Sequence, residues 1–380
     1  MKKLLFITGS RADFNKISDI IIYLSKNNLV SVLLVDMHNE KCFGNTGNIV
    51  REELKSYKNI CVDSVGNKNT SKTLNYFGWL VSKLDKYYNS KNFDMTFVHG
   101  DRLSALAGAI VSNYHNVPVC HIEAGDVSGN IDECIRHSIS KFSQRFLVTD
   151  DICKKRVLQL GEKEDSVYYI GNTSSFKSLS NWNETELCKA LGKRYAILIY
   201  HPIYNKSPNE NLDNFNYVVK ALKVFDGKIL LIHCNNDPSG ELIIKEYKNL
   251  ENNQQFVFRK NVDPKEFYSA LENASFIIGN SSCGVCEAPF IGVPTIDVGE
   301  RQNNRYCGKN LETIFHIKDR DNNCEKTIIK VMNMRKSNTI KSEQNNLNKN
   351  LKGVFTEKFF NVKTSKVFID RWFYEKYIYW

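Results

Sequence analysis

The stretch from His99 to His137, HGDRLSALAGAIVSNYHNVPVCHIEAGDVSGNIDECIRH, narrows the fold more than any other part of the chain. An apolar run through Phe97 and Val98 stops at His99-Gly100-Asp101-Arg102. A small-residue helix follows (Leu103, Leu106, Ala107, Ile110), and a second apolar run, Pro118 to Ile122, stops at Glu123-Ala124-Gly125. After a Ser128-Gly129 turn, Asp132 opens another helix. Strands alternating with helices in this way predict a parallel sheet. In such sheets the loops after the strand carboxyl ends line the binding crevice. Two successive strands here end in carboxylates, Asp101 and Glu123, and the next helix brings a third, Asp132. A buried carboxylate is costly without a partner or a task. These three are the candidate chemical groups.

The same alternation runs along most of the chain. Leu4 to Thr8 predicts a first strand, Gly9-Ser10-Arg11 a tight turn, and Asp13 to Asn27 a helix. Val30 to Asp36, Phe146 to Thr149 and Val167 to Ile170 continue the set, with a long helix near 71–88. The polar stretch from Asn172 interrupts it, and a second α/β set begins with strands at Tyr195 to Tyr200, Lys228 to Ile232, Phe276 to Ile278 and Val293 to Ile296. The expected fold is therefore α/β with two Rossmann-like domains, residues 1–172 and 173–364. Ser365 to Trp380, aromatic at helical spacing, is expected to pack back on the first domain.

Length and composition agree with two packed domains: 380 residues, 42% hydrophobic and 25% charged. The net charge of +10 comes from diffuse lysines without the stripe of a nucleic-acid face. No apolar run approaches membrane-spanning length, and the apolar start ends too soon for a signal peptide. An odd 11 cysteines, scattered through strands and helices, suits a reducing compartment, so a cytoplasmic protein is expected. Cys283-Gly284-Val285-Cys286 lacks a second Cys or His pair at zinc spacing, and neither a metal cluster nor a cofactor motif is evident.

Four further features carry possible chemistry. The helix after Gly9-Ser10-Arg11 offers free N–H groups to an anion, and Arg11 can reach a diphosphate or simply cap the loop. His38 follows the second strand, where loop structure is the blander reading. Gly279-Asn280-Ser281-Ser282-Cys283-Gly284, between a strand and a helix start, has the composition of a phosphate cradle, although Ser281 and Ser282 also suit ordinary helix capping. Glu287, one turn into that helix, can hold a ribose diol.

Taken together, the motifs TGSRADF (8–14), HGDR (99–102), HIEAGDVSGNIDECIRH (121–137), HP (201–202), GNSSCGVCE (279–287) and GERQ (299–302) resemble the hydrolysing UDP-N-acetylglucosamine 2-epimerases. That resemblance implies the glycosyltransferase-B arrangement with the active site in the interdomain cleft. It implies that Asp101, Glu123 and Asp132 are the catalytic carboxylates, with Arg102, Arg136 and His38 close by. Ser281 and Ser282 would hold the diphosphate and Glu287 the ribose, while Arg11, His201, Asn235 and Arg301 would line the UDP-sugar site. It also implies a UDP-sugar substrate, no cofactor, and a homo-oligomer, dimer or tetramer. Ala12-Asp13 after Arg11, where non-hydrolysing relatives carry Pro-Glu, places the chain on the hydrolysing side. Asp126, Asn130, Cys286 and Asn15 depart from the usual pattern, and two of them lie in the active loop, where sugar preference is set.

The implied reaction is elimination of UDP to a glycal, followed by addition of water with inverted C2, releasing N-acetylmannosamine. It needs a base, an acid and a stabiliser of cationic character at C1, which three carboxylates can divide. Three other readings stand beside it: a sister epimerase acting on a UDP-2,4-diacetamido-trideoxyhexose, a glycosyltransferase of the same fold, and a non-enzymatic sugar-nucleotide sensor.

Overall fold

A computed structural model describes residues 1–40, 46–66, 73–129, 131–171, 173, 185–234, 240–305, 311–334 and 346–364. The first set of elements comprises β1 (Lys3–Thr8), α1 (Arg11–Ser25), β2 (Leu29–Leu34), α2 (Gly47–Leu54), β3 (Ile60–Ser64), α3 (Thr73–Asn89) and β4 (Met95–His99). It continues with α4 (Leu103–Tyr114), β5 (Val119–Ile122), α5 (Ile131–Phe142), β6 (Arg145–Val148), α6 (Asp151–Gln159) and β7 (Val167–Tyr169). All seven strands are parallel, in the order β3-β2-β1-β4-β5-β6-β7.

The second set runs α7 (Glu186–Leu191), β8 (Tyr195–Ile199), α8 (Pro208–Ala221), β9 (Lys228–Ile232), α9 (Glu241–Glu251), β10 (Phe256–Arg259) and α10 (Pro264–Asn273). It ends with β11 (Ile277–Gly279), α11 (Ser282–Cys286), α12 (Ala288–Ile291), β12 (Thr295–Val298), β13 (Ile314–Ile317) and α13 (Cys324–Met332). Its six parallel strands are ordered β10-β9-β8-β11-β12-β13. Two short helices, α14 (Asn346–Val354) and α15 (Glu357–Phe360), complete the described chain.

Each sheet is apolar on both faces because helices cover both, which is why its central strands read as unbroken hydrophobic runs. Alternate residues of β1 serve different cores. Leu4 and Phe6 meet Phe14, Ile17, Ile20 and Leu24 of α1, whereas Leu5 and Ile7 meet Ala105, Ala107, Ala109 and Val111 of α4. In β8, Ala196 and Leu198 face one cluster and Tyr195, Ile197 and Ile199 the other. The helices after β1 and β4 thus leave on opposite faces. That makes the β1/β4 boundary the switch point where a crevice opens at the carboxyl ends. β8/β11 is the equivalent boundary of the second sheet.

One expected boundary is corrected. Residues 346–360, assigned from sequence to the second domain, belong to the first compact unit. Leu351, Val354 and Phe359 are buried among Phe97, Leu147 and Ile170 of its core, and the Arg145 Nε–H donates to the Phe359 carbonyl at 2.8 Å. The apolar positions of this stretch are separated by Lys and Asn, so its sequence reads as surface. The terminal segment 365–380 lies outside the described residues, as do residues 172 and 174–184 beside the expected domain boundary.

Candidate active site

Three strand ends and one helix converge in the first unit. Ser10 caps α1, its Oγ accepting from the Asp13 N–H at 3.2 Å. That start brings Asp13 and Lys16 of α1 over the ends of β4 and β5. Glu123, directly after β5, is 5% exposed and has a left-handed backbone with φ of 60°. A non-glycine residue held there costs energy, which marks positions that the surroundings over-determine. Lys16 Nζ donates to both carboxylate oxygens of Glu123, at 3.0 and 3.1 Å. The Thr173 hydroxyl donates to Oε1 as well. His99 lies between two carboxylates: Nε2 is 3.2 Å from Glu123 Oε2 and Nδ1 is 3.5 Å from Asp13 Oδ1. Arg102 Nε approaches the other Asp13 oxygen at 3.5 Å.

The charges of this cluster reinforce one another. Burial pushes the Asp13 carboxyl up, but the His99 contact and the charges of Arg102 and His99 outweigh it and hold the group at about 2. Burial pushes His99 down, yet Glu123 and Asp13 together raise it above the ordinary histidine value. Four acid–base side chains, Asp13, Lys16, His99 and Glu123, therefore share one buried patch.

Asp101, after β4, is ion-paired with Arg136 of α5, whose side chain is fully buried. The other Arg136 amino group donates to the Glu123 carbonyl at 2.9 Å, so one guanidinium ties the two strand-end carboxylate residues together. His121 braces the same turn. Its Nε2 is 2.8 Å from the Gly100 carbonyl and its Nδ1 is 2.9 Å from Ser140 Oγ. The carbonyl can only accept, so Nε2 carries the proton and Ser140 donates to Nδ1. Burial pushes His121 down to about 3, which keeps it neutral in this role. Gly125 packs against α6: a Cβ there would lie 2.2 Å from the Cys153 carbonyl.

The remaining expected residues of this unit take varied places. His38 is buried, with Nε2 3.2 Å from Thr8 Oγ1 and Nδ1 2.9 Å from Thr46 Oγ1, and burial lowers it to about 4. Both nitrogens face hydroxyls of its own unit, so it builds the wall of the crevice. Arg11 packs over the Phe14 ring at 5.6 Å and pairs with Glu53 at 3.3 Å. Asp132 sits in the first turn of α5, partly exposed and one turn before Arg136. Asn130, in the active loop, lies outside the described residues.

In the second unit, the turns after β8 and β11 are locked to each other. Asn280 is fully buried. It accepts from the His201 N–H at 2.7 Å and donates back to the His201 carbonyl at 2.8 Å. The Asn280 carbonyl accepts from Arg301 at 3.2 Å and from Gln302 at 3.0 Å. This close approach needs Gly279, whose φ is 135° and whose Cβ would lie 1.9 Å from the Ile199 carbonyl. Ser281 precedes α11 without capping it. Its Oγ instead lies 3.3 Å from His201 Nε2 and accepts from Cys283 Sγ at 3.3 Å. The capping alternative therefore fails for Ser281. Ser282 is partly exposed at the start of α11, and Glu287 is buried at its end. The structure thus brings His201, Ser281 and Arg301 together around Asn280. Asn235 lies outside the described residues.

Sequence reasoning passed over Asp13, Lys16, His99, Thr173 and Asn280 as site residues. Asp13, His99 and Asn280 lie within motifs quoted from the sequence, but none of them was singled out by itself. Lys16 reads as an ordinary helix lysine, because its partner is 107 positions away.

Comparisons with known proteins bear on these arrangements. A family model described as UDP-N-acetylglucosamine 2-epimerase matches residues 16–350. The UDP-N-acetylglucosamine 2-epimerase of Neisseria meningitidis serogroup B is 34% identical over 321 residues, which cover 82% of this chain and 83% of that protein. The polysialic acid biosynthesis protein P7 of Escherichia coli is 30% identical, with 82% of each chain covered. The UDP-N,N'-diacetylbacillosamine 2-epimerase (hydrolyzing) of Legionella pneumophila is 27% identical, over 82% of this chain and 84% of that protein. Among solved structures, the Methanocaldococcus jannaschii UDP-GlcNAc 2-epimerase in complex with UDP-GlcNAc and UDP superposes with a TM-score of 0.73 at 23% identity, covering 88% of this chain and 94% of that one. This last likeness shows the fold, two Rossmann-like domains of the glycosyltransferase-B type.

Proposed function

The chain belongs to the UDP-N-acetylglucosamine 2-epimerase family, and from that premise we propose that it is a hydrolysing enzyme. Its substrate is UDP-N-acetylglucosamine and its products are UDP and free N-acetylmannosamine, made for sialic-acid-type surface polysaccharide. The observation that carries the reading is the set of two strand-end carboxylates, Asp101 and Glu123, joined through Arg136 in a buried patch of acid–base groups. Ala12-Asp13 after Arg11 supports the hydrolysing branch. The hydrolysing name of the Legionella relative supports it as well.

The C2 proton of an N-acetyl sugar has no adjacent carbonyl to acidify it. Departure of UDP builds positive charge at C1, and that charge makes C2 deprotonation feasible. Asp101 is the more accessible of the two strand-end carboxylates, at 24% against 7% for the Glu123 side chain. Asp101 therefore takes the C2 proton, and Glu123, already surrounded by donors, stabilises the cationic C1 or directs water. Asp132 serves the return step, protonating C2 of the glycal from the other side. Ser281 and Ser282 hold the diphosphate and Glu287 the ribose, Arg11, His201, Asn235 and Arg301 line the UDP-sugar site, and Arg102 lies close to the carboxylates. The enzyme works in the cytoplasm as a homo-oligomer, for which light scattering at assay concentration should give at least twice the chain mass of 43.8 kDa. Among the described residues, no helix is long and apolar enough to cross a membrane.

Incubation with UDP-N-acetylglucosamine tests the proposal. Equal amounts of UDP and free N-acetylmannosamine support it, and UDP-N-acetylmannosamine without free sugar overturns the hydrolysing branch. The second reading, favoured by the Legionella relative, is a UDP-2,4-diacetamido-trideoxyhexose as substrate. Turnover of that sugar alone would establish it.

A further inference from the structure

Glu123 is not arranged as a free base. Oε1 accepts from Lys16 and Thr173, and Oε2 accepts from Lys16 and faces His99 Nε2 at 3.2 Å. Behind His99 stands Asp13, at 3.5 Å from Nδ1, on the helix that also supplies Lys16. The order Asp13, His99, Glu123 places an imidazole between two carboxylates, with one ring nitrogen within ion-pair distance of each. His99 and Glu123 are nine-tenths or more buried, so water screens the arrangement little.

We propose that His99 is a positioning residue for the reaction: anchored by Asp13, it joins Lys16 in holding the Glu123 carboxylate ionised and fixed in the crevice. This inference rests on the reading of Glu123 as a catalytic carboxylate. It goes further by assigning the cause of its charge state to the side chains packed around it.

The groups facing this clamp come from every neighbouring element. Asp13 and Lys16 come from α1, His38 from the 3-10 turn after β2, Asp101 and Arg102 from the β4–α4 turn and Arg136 from α5, and Glu123 and His121 belong to β5 and its end. His38 and His121 are held neutral at ordinary pH, with values of about 4 and about 3. Arg102 stays charged beside Asp13. In the neutral range His99 is therefore the one member whose protonation changes the balance, and the two carboxylates shift it upward.

The sign follows. Removing positive charge beside a carboxylate raises its pKa. His99→Gln removes that charge, so Glu123 should become harder to ionise. The acid limb of the kcat/KM profile for UDP-N-acetylglucosamine should then move to higher pH, by about one unit. Asp13→Asn removes a negative charge that stays ionised down to about pH 2, so it should not move that limb upward. A limb unmoved in His99→Gln overturns the proposal.

A second measurement is independent of turnover. Side-chain ¹⁵N NMR of histidine-labelled protein, which has eight histidines, follows the His99 ring directly. It should titrate above the ordinary histidine range in the wild type, and lower in both Asp13→Asn and Glu123→Gln. Titration in the ordinary range, indifferent to both substitutions, contradicts the clamp whatever the substrate. A normal NMR result with no turnover of UDP-N-acetylglucosamine would fault the substrate reading and leave the clamp standing.

Discussion

At the scale of single residues, the crevice in the first unit is built by pairing charges that would be costly alone. Arg136 serves both Asp101 and the Glu123 backbone, so Arg136→Met should be worse than the loss of either contact. Breaking a buried pair of this kind costs about 3–5 kcal/mol, visible as a lowered denaturant midpoint. Asp101→Asn takes the carboxylate charge away from the buried Arg136, so it should also lower the denaturant midpoint, and it should lower kcat by roughly 10²–10⁴-fold; near-normal glycal formation would remove it from the role of first base. His38 and His121 set the acid flank of stability. Both are depressed below the unfolded histidine value, to about 4 and about 3, so the unfolded state binds more protons. Stability should be complete above about 6.5 and fall as pH drops toward 4, by a few kcal/mol at most. Asp13, held at about 2, loses its contribution only below that window, and His99, raised, loses its own as pH rises. Urea midpoints at pH 7 and pH 4.5 would show the slope, and equal midpoints would contradict it. Asp101 and Glu123 were legible in the sequence because each ends an apolar strand. Asp13 and Lys16 were not, because their meaning comes from contacts across the sheet.

At the scale of elements, the central strands could be read because burial on both faces leaves no polar interruption. Three of the four edge strands, β3, β10 and β13, could not: Ile60–Ser64 carries the pattern of a half-exposed strand, ICVDS, that competes with loop. The short helices α14 and α15 were hidden for a related reason, since their apolar residues are few but deeply placed. Phe359 is fully buried against Phe97, Phe355 and Tyr168. Phe359→Ala should therefore cost about 3–5 kcal/mol and destabilise the first unit, whereas the second-domain assignment predicts that the first unit is untouched. Hydrogen exchange resolved by segment distinguishes these outcomes. In the second unit, Gly279→Ala forces a Cβ against the Ile199 carbonyl. It should abolish UDP binding measured by calorimetry, because the β8 and β11 turns can no longer close on Asn280.

At the scale of the whole molecule, two parallel sheets of seven and six strands put their switch points at β1/β4 and β8/β11, and the residues singled out from sequence gather mainly at those two points. Asp101, Glu123, Ser281 and Ser282 followed from alternation and strand ends, whereas His201, Asn235 and Arg301 followed only from the resemblance to the family. Sugar preference did not follow, because spacing along a chain does not carry the shape of a pocket. The central claim is that this family member eliminates UDP and releases its sugar. It is tested most directly by proton NMR of the purified protein with UDP-N-acetylglucosamine in D₂O. Free N-acetylmannosamine carrying deuterium at C2 should appear together with UDP. Retention of protium at C2, or deuterated UDP-N-acetylmannosamine with no free sugar, would contradict it.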